Sequence, residues 1–212
     1  LKMSTQQDLI GYLSKLLMVL TPSTMLQLGT TAPDFQLPDA VSDRTLSLAS
    51  FASKKGLLVM FICQHCPFVQ HIGQQLASLG KDYADSELGI VAISANDADK
   101  YPDDAPDGLK KMAVDGGFTF PICYDESQET AKAYTAACTP DFFLFDDRRR
   151  LVYRGQLDDS RPGNDRPANG RDLRAAIDLL LADQEIDPNA QKPSIGCNIK
   201  WKPGNEPDYF KN

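Results

Sequence analysis

The chain has 212 residues, 42% hydrophobic and 24% charged, with a net charge of −7 and a pI near 4.8. That length and balance describe one domain with some extension, able to bury a core without staples, and the acidic charge leaves no footprint for nucleic acid or anionic lipid. Cys63, Cys66, Cys123, Cys138 and Cys197 are sparse and odd in number, which excludes a disulfide scaffold and points to working or buried thiols in a reducing, cytoplasmic setting.

Residues 1–24 place Leu9, Ile10, Leu13, Leu16, Leu17 and Leu20 at helical spacing. Asp8 precedes this stretch and Lys15 interrupts it, which fits an amphipathic or disordered extension better than a secretory signal or a membrane span. After a break at Thr21-Pro22, the stretches Ala32–Pro38 and Thr45–Leu48 alternate apolar and polar residues around a polar turn, which predicts an N-terminal β-hairpin. Leu57 to Ile62 is a continuous apolar run, the pattern of a central strand buried on both faces. A helix is expected over residues 67–84, then a second buried strand over 89–94. Residues 96–107 are rich in aspartate and read as a solvated surface loop, since the spacing and central glycine of a calcium loop are missing.

A short helix around residues 108–114 precedes an apolar stretch, residues 118–123, in which Cys123 reads as a small buried residue. Residues 126–134 read as helical. A strand opens at Pro140, and residues 151–155 return as its partner in a terminal hairpin. The polar loop 156–169 is expected at the same end of the sheet as residue 63, because two reversals of direction bring it there. Leu173, Ala176, Ile177, Leu180 and Leu181 mark the last amphipathic helix, and residues 183–212 form an irregular tail packed on the domain.

The chemistry is concentrated at Cys63-Gln64-His65-Cys66, followed by Pro67. Two thiols two residues apart, where a strand hands over to a helix, form a redox device, because free backbone N–H groups and the helix dipole favour a thiolate. The pattern predicts Cys63 as the exposed, acidic nucleophile and Cys66 as the shielded thiol that resolves a mixed disulfide. The intervening Gln64 and His65 are the tuning positions, with a protonated or hydrogen-bonding His65 favouring the thiolate. The second half of a zinc site is absent at finger or ribbon spacing.

A strand, a C-x-x-C at the start of a helix, a further β-α unit and then Thr139-Pro140 opening a terminal hairpin resemble the thioredoxin fold. The implied architecture is α/β: a mixed central sheet flanked by helices, with an N-terminal β-hairpin and an irregular C-terminal tail. The resemblance spans about residues 32–182, and the chain is read as a helical or disordered N-terminal extension, 1–24, a thioredoxin-like domain, 25–182, and a C-terminal tail packed on it, 183–212. It also implies a cis bond before Pro140 and a groove, shaped by Thr139 and Pro140, in which a partner chain crosses the nucleophile. Ala32-Pro33-Asp34-Phe35 and the added hairpin resemble the branch containing peroxiredoxins, also called the alkyl hydroperoxide reductase and thiol-specific antioxidant family. The stretches around Cys138-Thr139-Pro140 and Gly196-Cys197 resemble its peroxiredoxin-like thioredoxin subgroup.

Three readings follow. A thiol–disulfide oxidoreductase needs only Cys63, Cys66 and an approach groove. Its partners would be protein or small-molecule disulfides and thiols, together with a reductase or oxidant that recycles the pair; no cofactor, resident metal, nucleic acid or membrane is called for. A thiol peroxidase in the family's pattern would place its reactive cysteine at Cys66, but Val59, Cys63 and Pro140 then stand where proline, a hydroxyl residue and arginine are expected. A soft-metal or iron–sulfur protein would use Cys63, Cys66 and Cys138, joined by His65, His71 or Cys197. Two further candidates lie in the loop after residue 155: Arg161, able to favour a Cys63 thiolate, and Asp158, able to accept a proton from Cys66.

Overall fold

The computed structural model describes residues 20–210. The helix expected within residues 1–19 lies outside the described residues. The central sheet has five strands in the order β6-β5-β4-β8-β9. Strands β4 (Gly56–Phe61), β5 (Leu88–Ser94) and β6 (Ile122–Tyr124) run parallel, and β8 (Asp141–Phe145) runs antiparallel to both β4 and β9 (Leu151–Gly155). The N-terminal hairpin forms as expected, with β2 (Gln36–Pro38) paired to β3 (Thr45–Ser47).

Strand β4 sits in the middle because every one of its residues is buried. Its alternate side chains feed two cores. Leu58 and Met60 join a cluster with Val69, Ile72 and Leu76 of helix α1 (Pro67–Asp82), Leu109 of α2 (Pro106–Gly116) and Ile177 of α4 (Arg171–Leu181). Leu57, Val59 and Phe61 join the other, with Ala131 of α3 (Glu129–Ala133), Tyr134, Phe143, Phe145, Ile199 and Trp201. Burying each large apolar side chain contributes roughly 1.5–3 kcal/mol, so a two-faced strand of this composition anchors the fold.

The chain changes sheets beside the C-x-x-C. Strand β7 (Cys138–Thr139) belongs to a second, three-stranded sheet in the order β1-β10-β7, and β8 resumes in the central sheet one residue later. Pro140 occupies the switch, where its missing N–H removes it from either ladder. Its peptide bond to Thr139 is cis, as the resemblance implied. The middle strand of the second sheet, β10 (Ile195–Asn198), comes from the C-terminal segment, and its outer strand is β1 (Leu20–Pro22). The tail is therefore irregular apart from β10, which pairs with β1 and, with Cys197 opposite Thr139 and Asn198 opposite Cys138, with β7, and a short 3-10 turn at Asp208–Phe210. Gly196 permits that approach, since a Cβ there would meet the Thr139 carbonyl oxygen at 2.0 Å.

The segment 96–107 differs from the solvated loop expected of it. Asn96 and Asp97 are buried, Asp104 has no exposed surface, and Pro102–Asp104 form a short 3-10 turn. A buried carboxylate requires hydrogen-bond donors, and the donors lie in the C-x-x-C itself.

Candidate active site

Strand β4 ends at Phe61 and α1 begins at Pro67, so the four-residue motif spans the crossing between them. Cys66 is the helix N-cap residue and Pro67 takes the first helical position, where a missing N–H costs nothing. The intervening peptide is fixed by Asp104. Its Oδ1 accepts the Gln64 N–H at 2.8 Å and the His65 N–H at 3.3 Å, while its Oδ2 faces His65 Nδ1 at 2.5 Å and accepts Asn96 Nδ2 at 2.8 Å. His65 is further held by stacking on Tyr101, with ring centroids 4.9 Å apart and planes 12° from parallel.

Both thiols are closed off, Cys63 at 1% exposure and Cys66 at 0%. Cys63 Sγ lies 3.4 Å from the Thr139 hydroxyl. Cys66 Sγ lies 3.1 Å from the Thr139 carbonyl oxygen and 2.7 Å from Cys197 Sγ. Thr139 thus touches both members of the pair. Pro140 follows it on the wall of a shallow depression shared with Phe68, His71, Leu157, Arg161 and Ile195.

The electrostatics reverse the expected order of acidity. Burial pushes the Cys63 thiol well above its usual range, aided by its hydrogen bond to Cys66 and by the neighbouring Asp104 charge. Burial also acts to raise Cys66, but hydrogen bonds from Cys197, Cys63, Thr139 and the Val69 amide outweigh it and hold Cys66 far below the ordinary thiol range. The physical reason is position. Cys66, not Cys63, caps the helix and stands between two other thiols, and both placements lower its pKa. Nor is Cys63 the exposed member of the pair.

The tuning residues act differently from expectation. His65 directs its ring nitrogen to Asp104 instead of a cysteine sulfur, and Gln64 contributes its backbone N–H to the same carboxylate. Gln64 also leaves a buried side-chain oxygen, Oε1, without a partner. Asp104 is the functional residue that the sequence reading missed.

The loop after β9 does reach the depression beside Pro140, but its two candidate side chains are occupied there. Arg161 donates to the backbone oxygens of Asp158 and Ser160 and to Gln156 Oε1. Asp158 accepts the N–H groups of Ser160, Asn169 and Gly170, and these hydrogen bonds lower its pKa against the opposing effect of burial. Both residues staple their own loop rather than serving the thiols.

Cys138 is fully buried and its thiol contacts the Pro140 carbonyl oxygen at 3.6 Å. It does not join Cys63 and Cys66 in a ligand set. Among the described residues, the cluster of potential metal ligands comprises Cys63, His65 and Asp104, with ligand atoms within 4.8 Å of one another. That arrangement is already satisfied by the His65–Asp104 contact and the peptide N–H groups, so it serves the C-x-x-C conformation.

The AhpC/TSA family matches residues 28–154. A structure from Geobacillus kaustophilus, described as an uncharacterized conserved protein, is 49% identical with a TM-score of 0.86, covering 88% of this chain and 98% of its own. A hypothetical protein from Sinorhizobium meliloti 1021 is likewise 49% identical, with a TM-score of 0.85 and coverage of 87% and 100%. A thiol:disulfide interchange protein of the thioredoxin family from Chlorobium tepidum TLS shares the fold at 17% identity, with a TM-score of 0.56 and coverage of 73% and 98%. No curated protein matches.

Proposed function

The chain belongs to the AhpC/TSA family, and we propose that within this redox family it acts as a thiol–disulfide oxidoreductase through Cys63 and Cys66. The observation that carries this reading is the convergence of the two thiols on Thr139, Cys63 Sγ 3.4 Å from its hydroxyl and Cys66 Sγ 3.1 Å from its carbonyl oxygen, with burial raising the Cys63 thiol and hydrogen bonds lowering that of Cys66. Cys63 passes its proton to the neighbouring Cys66 sulfur and attacks one sulfur of a partner disulfide as the thiolate, and the other partner sulfur leaves and takes that proton from Cys66. Cys66 then attacks Cys63 Sγ, closing the Cys63–Cys66 disulfide and expelling the second partner sulfur, which takes a proton from water. Two electrons pass from the protein to the partner; a reductase or oxidant of the thiol class restores the starting state.

Reduction of insulin or of a glutathione mixed disulfide, measured beside hydrogen peroxide consumption, tests the reading. The wild-type protein is expected to turn over the disulfides and to leave peroxide near its uncatalysed rate. Cys66→Ser should stop at a mixed disulfide on Cys63. Peroxide turnover that outpaces disulfide turnover, or a partner trapped on Cys66 in Cys63→Ser at the wild-type initial rate, would overturn it.

The low-lying Cys66 also favours a second reading, thiol peroxidase, because that is the position the family's reactive cysteine would occupy. Against it stand Val59 buried in β4 and Pro140 where an arginine is expected. The peroxide arm of the same assay separates the two.

A further inference from the structure

Cys197 has no part in a two-thiol exchange, yet its sulfur is in direct contact with that of Cys66. It is 1% exposed, and its sulfur is 2.7 Å from Cys66 Sγ across 131 residues of sequence. A disulfide bond is about 2.05 Å long, so a small adjustment separates this contact from a bond. Its placement is built by backbone pairing: Cys197 stands opposite Thr139 in the β10–β7 ladder, and Gly196 supplies the close approach that a side chain would block. The residue that fixes Cys197 is the same Thr139 that contacts both Cys63 and Cys66.

We propose that Cys197 is a third redox thiol of this site, exchanging with the Cys63–Cys66 disulfide to form a Cys66–Cys197 disulfide and release Cys63. The proposal rests on the oxidoreductase reading for the origin of the oxidised pair. The step is an internal exchange. Cys197 Sγ attacks Cys66 Sγ, the Cys66–Cys197 bond forms and the Cys63–Cys66 bond breaks, and the electron pair leaves on Cys63 Sγ. The proton lost by Cys197 returns to Cys63, and no electrons are gained or lost overall.

The thiol chemistry changes in the right direction once the pair is oxidised. In the reduced site, Cys197 is held protonated first by its hydrogen bond to Cys66, then by burial and by the Cys66 charge. Disulfide formation removes both the Cys66 charge and its demand for a proton. What remains to oppose burial is the Lys200 ammonium and the Phe68 amide, both of which favour the Cys197 thiolate. Cys197 therefore becomes a nucleophile when Cys66 becomes its target. The product leaves Cys63 reduced beside the Thr139 hydroxyl and the depression at Pro140, able to attack a second partner while oxidising equivalents are stored behind it.

The test uses the unmodified protein, equilibrated over a series of reduced and oxidised glutathione ratios, quenched in acid, alkylated and mapped as peptides by mass spectrometry. The expected result is loss of labelling at Cys197 with a Cys66–Cys197 cross-linked peptide and labelled Cys63 in part of the oxidised population. Chains that show only the Cys63–Cys66 bond, with Cys197 alkylated at every ratio, overturn the proposal. The cross-linked peptide should be absent from Cys197→Ser, which identifies it. Insulin reduction by the same preparation keeps the two readings apart. A cross-link without insulin turnover leaves the third thiol standing and sinks the oxidoreductase, whereas turnover with Cys197 always free does the reverse.

Discussion

Asp141 is the first residue of β8 and follows the cis proline, with no exposed surface and its Oδ2 unpartnered. Burial raises its pKa from 3.8 to about 7, against hydrogen bonds from Ser23, the amides of Phe142 and Ala137, and Ser194 that lower it. A carboxyl whose folded pKa is raised binds its proton more tightly in the native state. Its contribution to stability is full below the unfolded pKa of 3.8 and is lost as pH rises through the folded value. At about 1.4 kcal/mol per unit, the whole loss is about 4 kcal/mol, of which about 2–3 kcal/mol falls between pH 5 and pH 8. Asp141→Asn removes the titration. Urea unfolding of wild type and variant, each kept reduced, should show the stability difference shifting in favour of the variant by that amount from pH 5 to pH 8. The cysteine titrations are common to both proteins and cancel in the difference. A gap that stays constant with pH, or moves in favour of wild type, would refute the assignment of Asp141 as a buried neutral acid at low pH.

Three other outcomes are expected. Asp104→Asn keeps a hydrogen-bonding side chain but removes the charge that helps to raise Cys63, so the Cys63 titration followed by thiolate absorbance should move to lower pH; an unmoved titration would place that charge elsewhere. Reduced wild-type protein should keep one thiolate absorbance well into the acidic range, because the hydrogen bonds to Cys66 lower its pKa despite burial, and Cys66→Ser should abolish it; a single step near pH 9 in the wild type would contradict the central position of Cys66. Gly196→Ala should cost roughly 2–4 kcal/mol in chemical denaturation, the range for a forced backbone displacement, since its Cβ would fall 2.0 Å from the Thr139 oxygen; a loss below measurement error would mean that β10 shifts freely.

The parts of the fold that were legible in the sequence are those set by local pattern. The run Leu57–Ile62 has the composition of a strand buried on both faces, and β4 is one. The alternation in residues 36–38 and 45–47 gives the hairpin its register, and the Asp146-Asp147-Arg148-Arg149 turn lies between β8 and β9. Asp104 was not legible, because it stands among Asp97, Asp99, Asp103 and Asp107 with nothing local to distinguish it. Its burial comes from peptide N–H groups nearly forty residues earlier in the chain. The stretch beginning in β10 did carry a signal: Cys197, and Ile199 and Trp201 just beyond the strand, alternate with polar residues and are all buried, while the surrounding prolines and glycines give the tail an irregular look.

The reversal of acidity shows where a motif stops being sufficient. The rule that the first cysteine of a C-x-x-C is the acidic one assumes that the helix end is the dominant influence and that it acts on that residue. In this chain Cys66 is the cap, displaced by one helical turn from the assumed position, and the nearest carboxylate lies beside Cys63. Each effect moves the charge the same way. The Cys197 thiol of β10, 2.7 Å from Cys66 Sγ, completes the shift, since a sulfur with two thiol neighbours holds a negative charge better than one at the end of the row. Spacing in the sequence therefore pairs Cys63 with Cys66, whereas the segments that arrive from residues 104 and 197 decide which of the two is the more acidic.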